Sequence, residues 1–196
     1  MCGFVGFTGS VENKENVIKN MSEKIIYRGP DSNGFHIDDE IALGFRRLSI
    51  IDLAEGSQPI YNEDNTMVIV FNGEIYNYNE IKEKLINLGH KFKTNADTEV
   101  ILHGYEEFGE KILDELRGMF AFAIFNTITK ELFIARDFFG IKPLYYTQIG
   151  QDLVFASEIK CILEHPNVKK ELNINALQNY LSFQYSVPNE TFFKGI

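Results

Sequence analysis

The sequence is poor in several residue types that mark special classes of protein. Its 196 residues include no tryptophan, only five prolines and only two cysteines. The two cysteines, Cys2 and Cys161, are too few and too badly placed for a disulfide framework. Since no signal-peptide pattern is present either, we expect a cytoplasmic protein.

Basic residues and long apolar runs are also scarce. Lysine and arginine together number 19 against 28 acidic residues, and the net charge of -9 argues against a nucleic-acid partner. The longest apolar run, Met119 to Phe125, is far shorter than the roughly 20 residues of a membrane span. The remaining composition, 44% hydrophobic and 24% charged, is typical of a soluble globular domain with one sizeable core.

Hydrophobic periodicity predicts an α+β protein with mainly antiparallel sheets and outer helical layers. The strand 118–126 is apolar throughout, so we expect cover on both of its faces, which requires two sheets packed against each other. Strands are predicted at 3–8, 34–37, 41–51, 67–71, 118–126, 131–137, 144–149 and 153–156, and helices at 15–27, 79–88, from 97, 157–163 and 175–183.

A cysteine directly after the initiator methionine is the first chemical signal. Removal of Met1 is expected because residue two is small, and Cys2 then carries a thiol and a free α-amine. Free groups of these types have pKa values of about 8.5 and 7.7–8.0, so both exchange protons near neutral pH. A terminal amine can serve as the base for a neighbouring nucleophile. From its position alone, Cys2 is better explained as a small buried apolar residue that opens a strand, and the rest of the chain reverses that preference.

Several short motifs occur in order along the chain. They are Met1-Cys2-Gly3, 28–31 (RGPD), 47–52 (RLSIID), Gln58-Pro59, 72–77 (NGEIYN), 97–99 (DTE), 118–122 (GMFAF), 136–137 (RD) and 140–146 (GIKPLYY). Together they resemble the glutamine amidotransferase domain of asparagine synthetases that use glutamine as nitrogen donor, and the resemblance runs through the whole chain. It implies the four-layer α-β-β-α sandwich of hydrolases with an N-terminal nucleophile.

The resemblance implies that Cys2 attacks the side-chain amide of glutamine and releases ammonia. A γ-glutamyl thioester forms, and water then hydrolyses it to glutamate. The side-chain amide of Asn72 and the backbone N–H of Gly73 are expected to stabilise the oxyanion. Asn-Gly is also the commonest sequence of a tight hairpin turn, which is the alternative for this pair.

Further residues are expected to bind glutamine by the same resemblance. The forked guanidinium of Arg47 suits the α-carboxylate, while neighbouring Arg46 is expected at the surface. Asp97 and Glu74 are expected to hold the α-ammonium, although Asp97 also suits the N-cap of a helix. The predicted substrate-binding residues are therefore Arg47, Leu48, Ser49, Ile50, Ile51, Asn72, Gly73, Glu74 and Asp97.

No metal or other cofactor is expected in this domain. The histidines 36, 90, 103 and 165 are scattered along the sequence without ligand spacing. Cys161 is interpreted as inert core, and the Arg136-Asp137 pair as structural.

The predicted domain boundaries are 1–185 for the glutaminase domain and 186–196 for the start of a connector. The resemblance implies a following synthetase domain that binds ATP and magnesium, adenylates aspartate and receives the ammonia. The resemblance is also compatible with a homodimer. Two alternatives remain, namely the same hydrolysis serving another acceptor, and a non-catalytic domain that binds glutamine without turnover.

Overall fold

The structure is a computed structural model that describes residues 2–48, 56–185 and 190–196. Within these ranges the chain forms two antiparallel sheets and their covering helices. The strands are β1 (Gly3–Thr8), β2 (Ser32–Ile37), β3 (Ile41–Arg47), β4 (Ile60–Tyr61), β5 (Met67–Ile75), β6 (Gly118–Asn126), β7 (Leu132–Arg136), β8 (Tyr145–Ile149) and β9 (Asp152–Ala156). The helices are α1 (Lys14–Glu23), α2 (Tyr78–Asn87), α3 (Asp97–Phe108), α4 (Ile112–Glu115), α5 (Ile159–Ile162) and α6 (Ile174–Phe183), with a 3-10 turn at Gly109–Lys111.

The first sheet has the strand order β2-β3-β1-β9-β8, and the second has the order β4-β5-β6-β7. Every pairing within them is antiparallel. Strand β1 lies at the centre of its sheet, and both of its apolar faces are covered. Phe4 faces the second sheet, whereas Val5 and Phe7 face the helices.

The two sheets pack against each other through a core of aromatic and branched side chains. Each strand contributes alternate residues, since neighbouring side chains of a strand point to opposite faces. This inter-sheet core contains Phe4, Ile41, Leu43, Phe45, Val68, Val70, Ala121, Ala123, Phe125 and Phe155.

Helices cover the outer side of each sheet. On the first sheet, Ile18 and Met21 of α1 and Ile162 of α5 join the apolar cluster of Val5 and Phe7. On the second sheet, the buried side chains of α2 and α3 pack into a separate apolar cluster with the outer faces of β5 and β6. The layers therefore follow the order α-β-β-α, which confirms the predicted α+β sandwich of two mainly antiparallel sheets.

Strand β5 departs from its prediction. The Asn72-Gly73 pair neither ends the strand nor forms a hairpin turn, because β5 continues to Ile75. The extension is held by β6, which pairs with every residue of β5 from Met67 to Ile75. A long-range strand pairing thus overrides the local turn preference of the dipeptide.

The last described residues fold back onto the domain. Leu172 and Phe193 form an antiparallel bridge, and the Thr147 hydroxyl donates to the Gly195 carbonyl at 2.7 Å. Residues 186–189 lie outside the described ranges, and the predicted boundary between 185 and 186 stays a prediction. No helix in the described ranges has the length and apolar character needed to cross a membrane.

Candidate active site

Cys2 lies directly before β1, at the edge of the layer between the two sheets. Its side chain points to the same side of the chain as that of Phe4 and packs against the inter-sheet core. The Leu48 N–H donates to Sγ at 3.4 Å, and the thiol faces the Leu48 carbonyl at 3.7 Å. The cysteine is partly exposed.

Arg28 fixes the backbone of Cys2. Its Nε donates to the Cys2 carbonyl at 2.9 Å, and its Nη1 pairs with Glu158 Oε1, also at 2.9 Å. Glu158 in turn contacts the Tyr27 hydroxyl and, at 3.0 Å, Lys160 Nζ. A network that includes a charge-assisted hydrogen bond thus holds the residue whose thiol and amine are the predicted reactive groups.

The side chain of Asn72 points into the layer between the two sheets, where the Cys2 side chain also lies. Its side chain lies on the same face of β5 as Val70, which belongs to the inter-sheet core. The side chain is only 2% exposed, and within the described residues its buried Nδ2 has no hydrogen-bond acceptor. A buried donor without an acceptor costs free energy, so this amide is free to bind a ligand that supplies an acceptor.

The backbone N–H of Gly73 points away from β6. Gly73 pairs with Phe120, whose N–H and carbonyl both bond to Asp137, at 3.2 and 2.7 Å. The backbone N–H and carbonyl of Phe120 therefore point away from β5, toward Asp137 at the end of β7. Since bonded and non-bonded pairs alternate along an antiparallel ladder, Gly73 turns its own N–H to the edge of β5.

Side chains occupy that edge on both sides of Gly73. The amide of Gln58 accepts the N–H of Phe71 at 2.6 Å and donates to its carbonyl at 3.1 Å. Asp97 Oδ2 accepts the N–H of Ile75 at 2.9 Å. The N–H of Gly73 lies between these two satisfied positions, next to the unpaired amide of the preceding residue. The two predicted oxyanion donors are therefore neighbours.

Two acidic residues, Asp97 and Glu74, lie beside these donors. Asp97 is the first residue of α3, and Ala96 occupies the N-cap position without a side-chain cap. Burial and the charge of Glu74 raise the pKa of Asp97 to about 6, against the lowering effect of the Ile75 N–H. The Asp97 carboxylate is thus costly to ionise in the ligand-free protein. A cation beside it would lower that cost.

Arg47 and Arg46 lie on opposite faces of β3. Arg47 follows Phe45 on the face toward the second sheet and is 7% exposed, and its guanidinium closely approaches Gly56. Arg46 is 4% exposed and bonds to Ser22 at 3.1 Å and to Glu23, so its predicted surface position is wrong. Helix α1 covers that face, a contact that the sequence around residue 46 does not reveal.

Three of the predicted substrate-binding residues, Ser49, Ile50 and Ile51, lie outside the described residues. Of the others, Leu48 contacts the thiol, while Asn72, Gly73, Glu74 and Asp97 gather at one end of β5. The roles assigned to these residues stay predictions.

Two structural interpretations are confirmed. Cys161 is fully buried, and burial raises the pKa of its thiol to about 12, so it is unreactive. Asp137 accepts the N–H groups of Ile141 at 2.8 Å and Lys142 at 2.9 Å, and Arg136 donates to the Lys142 carbonyl at 2.8 Å. The Arg136-Asp137 pair therefore closes the loop after β7.

The structure also gathers residues that sequence spacing separates. His90 and His103 lie with ring centroids 5.1 Å apart, with Glu63 and Glu106 beside them. Although burial lowers the pKa of His103, the nearby carboxylates of Glu106, Glu99 and Glu63 raise it to about 9. The apparent scatter of the histidines was therefore misleading, because the second sheet and its helices bring two of them together.

Comparison with known proteins gives a family match over the whole chain. The model described as a glutamine amidotransferase domain matches residues 1–196. Asparagine synthetase (glutamine-hydrolyzing) 1 of Bacillus subtilis (strain 168) is 48% identical over 94% of this chain and 30% of its own length. Asparagine synthetase (glutamine-hydrolyzing) 2 of Arabidopsis thaliana is 43% identical over 83% of this chain and 28% of its own. The chain thus spans less than a third of these relatives.

Two solved structures share the fold. The glutamine phosphoribosylpyrophosphate amidotransferase from B. subtilis aligns with a TM-score of 0.70 and 24% identity, over 82% of this chain and 43% of that one. A structure described as the allosteric regulatory enzyme of purine biosynthesis aligns with a TM-score of 0.71 and 23% identity, over 83% and 43%. The sandwich is therefore of the type found in hydrolases with an N-terminal nucleophile.

Proposed function

The chain belongs to the family of glutamine amidotransferase domains, and from this premise we propose that it hydrolyses the side-chain amide of glutamine through Cys2. The observation that carries the proposal is the pair of donors at the end of β5. The buried Asn72 amide, which has no acceptor among the described residues, and the outward N–H of Gly73 suit an oxyanion on the face toward Cys2.

The first chemical step forms a thioester. The α-amine of Cys2 takes the thiol proton, and Sγ adds to the amide carbon of glutamine. The resulting tetrahedral oxyanion binds the Asn72 amide and the Gly73 N–H. The amine then gives its proton to the leaving nitrogen, the carbon–nitrogen bond breaks and ammonia departs.

The second step regenerates the enzyme. Water adds to the thioester carbon while the amine of Cys2 accepts a proton, and the carbon–sulfur bond breaks to release glutamate. Arg28 supports both steps because it holds the Cys2 carbonyl at 2.9 Å and thereby restricts where the amine can point. It contacts no reacting atom and acts as a positioning residue.

Opposite charges orient the substrate. The partly buried carboxylate of Asp97, with Glu74 beside it, suits the α-ammonium of glutamine. The buried guanidinium of Arg47 suits its α-carboxylate through paired hydrogen bonds. Charges of both signs near one end of the sheets favour an amino acid over a simple amide.

We assign the ammonia to an ATP-dependent synthetase region that makes asparagine. The support is the names of the curated relatives, of whose length this chain covers between 24% and 30% in three cases. ATP and magnesium would bind in that region, which would be the ammonia-receiving partner of this domain. A cytoplasmic location fits the free, unpaired cysteines.

The test is glutamate release by purified protein whose N-terminus has been established by mass measurement. Cys2→Ala is expected to abolish turnover because no nucleophile remains. Cys161→Ala is the matched control, since it removes the other, buried thiol, and it should retain activity. Equal glutamate release by wild type and Cys2→Ala would refute the proposal.

Acid-quenched samples add a direct view of the intermediate. Wild type should gain the mass of one glutamyl group on the N-terminal peptide, and hydroxylamine should remove it. Binding of glutamine without turnover or mass gain would instead support a non-catalytic binding domain. The acceptor is tested separately, by feeding aspartate, ATP and glutamine to the natural full-length protein and assaying asparagine.

A further inference from the structure

A second group of polar side chains lies on the outer side of the second sheet. It consists of Glu63 before β5, His90 after α2, and His103 and Glu106 on α3, and we call it the histidine–glutamate cluster. One ligand atom from each residue lies within 4.8 Å of all the others. Since α3 carries two of the four, at positions i and i+3, they project from one helix face.

The inward atoms are nitrogen and carboxylate oxygen. His103 Nδ1 lies 2.8 Å from Glu106 Oε2 and 3.4 Å from Glu63 Oε2. His90 Nδ1 lies on the same side, 3.9 Å from Glu63 Oε1, which is the oxygen of that carboxylate that does not face His103. A tetrahedral zinc ion with bonds of about 2.0–2.2 Å separates its ligands by about 3.4 Å, so modest rotations of the glutamates would complete the geometry.

The outward atoms of the two glutamates already have donors. Glu63 Oε1 accepts the backbone N–H of Lys91 at 2.9 Å. Glu106 Oε1 accepts from Asn62 Nδ2 at 2.7 Å. Each bond fixes one carboxylate oxygen and leaves the other directed at the cluster. Such support is what orients the carboxylate ligands of metal sites.

The outward atoms of the two histidines face further carboxylates. His103 Nε2 lies 3.5 Å from Glu99 Oε1, and His90 Nε2 lies 3.4 Å from Glu107 Oε2. A histidine that binds a metal through one nitrogen commonly donates the N–H of the other to a carboxylate. The ring of His90 therefore has such a partner. His103 Nε2 makes no hydrogen bond within the described residues but faces the Glu99 carboxylate, so both rings can present Nδ1 as a ligand.

Charge also favours a cation. Four carboxylates surround two imidazoles, and Glu99 itself is held by the N–H groups of Lys93 at 2.6 Å and Thr94 at 2.8 Å. The ring of Phe92 packs edge-on against His103 at 4.8 Å and limits water on that side. A divalent ion here would bind in a partly dry, negative environment.

We propose that Glu63, His90, His103 and Glu106 bind a zinc ion. Two nitrogen and two oxygen ligands match the donor set that zinc accepts, and four protein ligands define a structural rather than a catalytic site. The ion would join the loop before β5, the end of α2 and the middle of α3. It would thereby fasten the outer helical layer of the second sheet, away from the Cys2 thiol.

The test is zinc binding by chelator-treated protein, measured by competition with a coloured zinc indicator. Wild type should bind one equivalent, and its thermal midpoint should rise when zinc is added. Cobalt should give the strong visible absorption of a four-coordinate site. His90→Gln and Glu106→Gln should weaken binding by at least about 100-fold, and Glu99→Gln, which removes only a supporting carboxylate, by about 10–100-fold.

His36→Gln is the matched control, because His36 has a carboxylate neighbour, Asp38 at 3.6 Å, outside the cluster. It should bind zinc as wild type does. Failure of wild type to bind one equivalent, or equal binding by wild type and the two ligand variants, would overturn the proposal. The cluster would then be only a network of hydrogen bonds between imidazolium and carboxylate groups. None of these measurements depends on glutamine turnover.

Discussion

Asp97→Asn should stabilise the ligand-free protein in a pH-dependent manner. Burial and the nearby charge of Glu74 raise the pKa of Asp97 from 3.8 to about 6. Asparagine has no ionisable group, yet its side-chain oxygen can still accept the Ile75 N–H that Asp97 accepts at 2.9 Å. The substitution therefore removes the charge and keeps the main hydrogen bond.

The sign follows from proton binding. Between pH 3.8 and 6 the folded wild type binds a proton at Asp97 more tightly than the unfolded chain does, so its stability falls as pH rises. A pKa change from 3.8 to about 6 corresponds to about 3 kcal/mol, reached in full above pH 7. Asp97→Asn does not lose stability in this way, because its side chain does not ionise. Its stability relative to wild type should rise by about 2–3 kcal/mol between pH 4 and pH 7.

Urea unfolding at pH 4, 5, 6 and 7 measures this difference. Asp114→Asn is a matched control, because the Asp114 side chain is exposed and the same substitution should give a nearly constant difference. Any fixed cost of placing an amide at position 97 shifts all four points equally and does not affect the slope. A difference for Asp97→Asn that stays flat or falls as pH rises would refute the reasoning.

The same substitution should impair glutamine binding. The KM for glutamine should rise, with a smaller effect on kcat, because the lost contact is to the α-ammonium and not to the reacting amide. In wild type, the KM should rise as pH falls through about 6, since protonated Asp97 carries no charge. An unchanged KM in the variant would remove Asp97 from the substrate site. A stabilised but less active variant would show the trade-off expected at a functional site.

Three further substitutions test the end of β5. Asn72→Ala should lower kcat by about 100–1,000-fold. It should hardly change stability, because the Asn72 Nδ2 has no acceptor to lose among the described residues. A decrease in kcat of less than about 10-fold in steady-state assays would contradict the oxyanion role. Gly73→Ala should lower the free energy of unfolding by about 1–3 kcal/mol and therefore the thermal midpoint, because the new Cβ would lie 2.3 Å from the Met119 carbonyl oxygen. An unchanged midpoint would contradict this packing. Gln58→Leu should destabilise by about 1–3 kcal/mol for each Phe71 backbone group left without its partner, and unchanged urea unfolding would argue against that bond pair.

The sequence predicted the layers well because their signals are local. The continuous apolar runs of β1 and β6 and the periodic faces of α2 and α3 reflect burial that each segment itself encodes. The partners across the sandwich are not encoded locally. Arg46 illustrates this, since its burial depends on Ser22 of α1, which lies 24 residues away.

The candidate site shows the same division. The motifs identified Cys2, Asn72 and Gly73, but the strand was predicted to end at Phe71, and the Asn-Gly dipeptide by itself favours a turn. Only the pairing with β6 shows that both residues lie in a continuous strand, with the Gly73 N–H at its edge. Likewise, His90 and His103 are 13 residues apart on different elements, and helix packing brings them together.

The account depends most on the two reactive groups of Cys2 acting together. The direct test compares glutamate release by protein that begins at Cys2 with release by protein that uniformly retains Met1, each verified by mass. With Met1 present, the nitrogen of Cys2 belongs to a peptide bond and cannot accept the thiol proton. The account predicts turnover only by the protein with a free Cys2 amine. Comparable turnover by the Met1-bearing protein would contradict it.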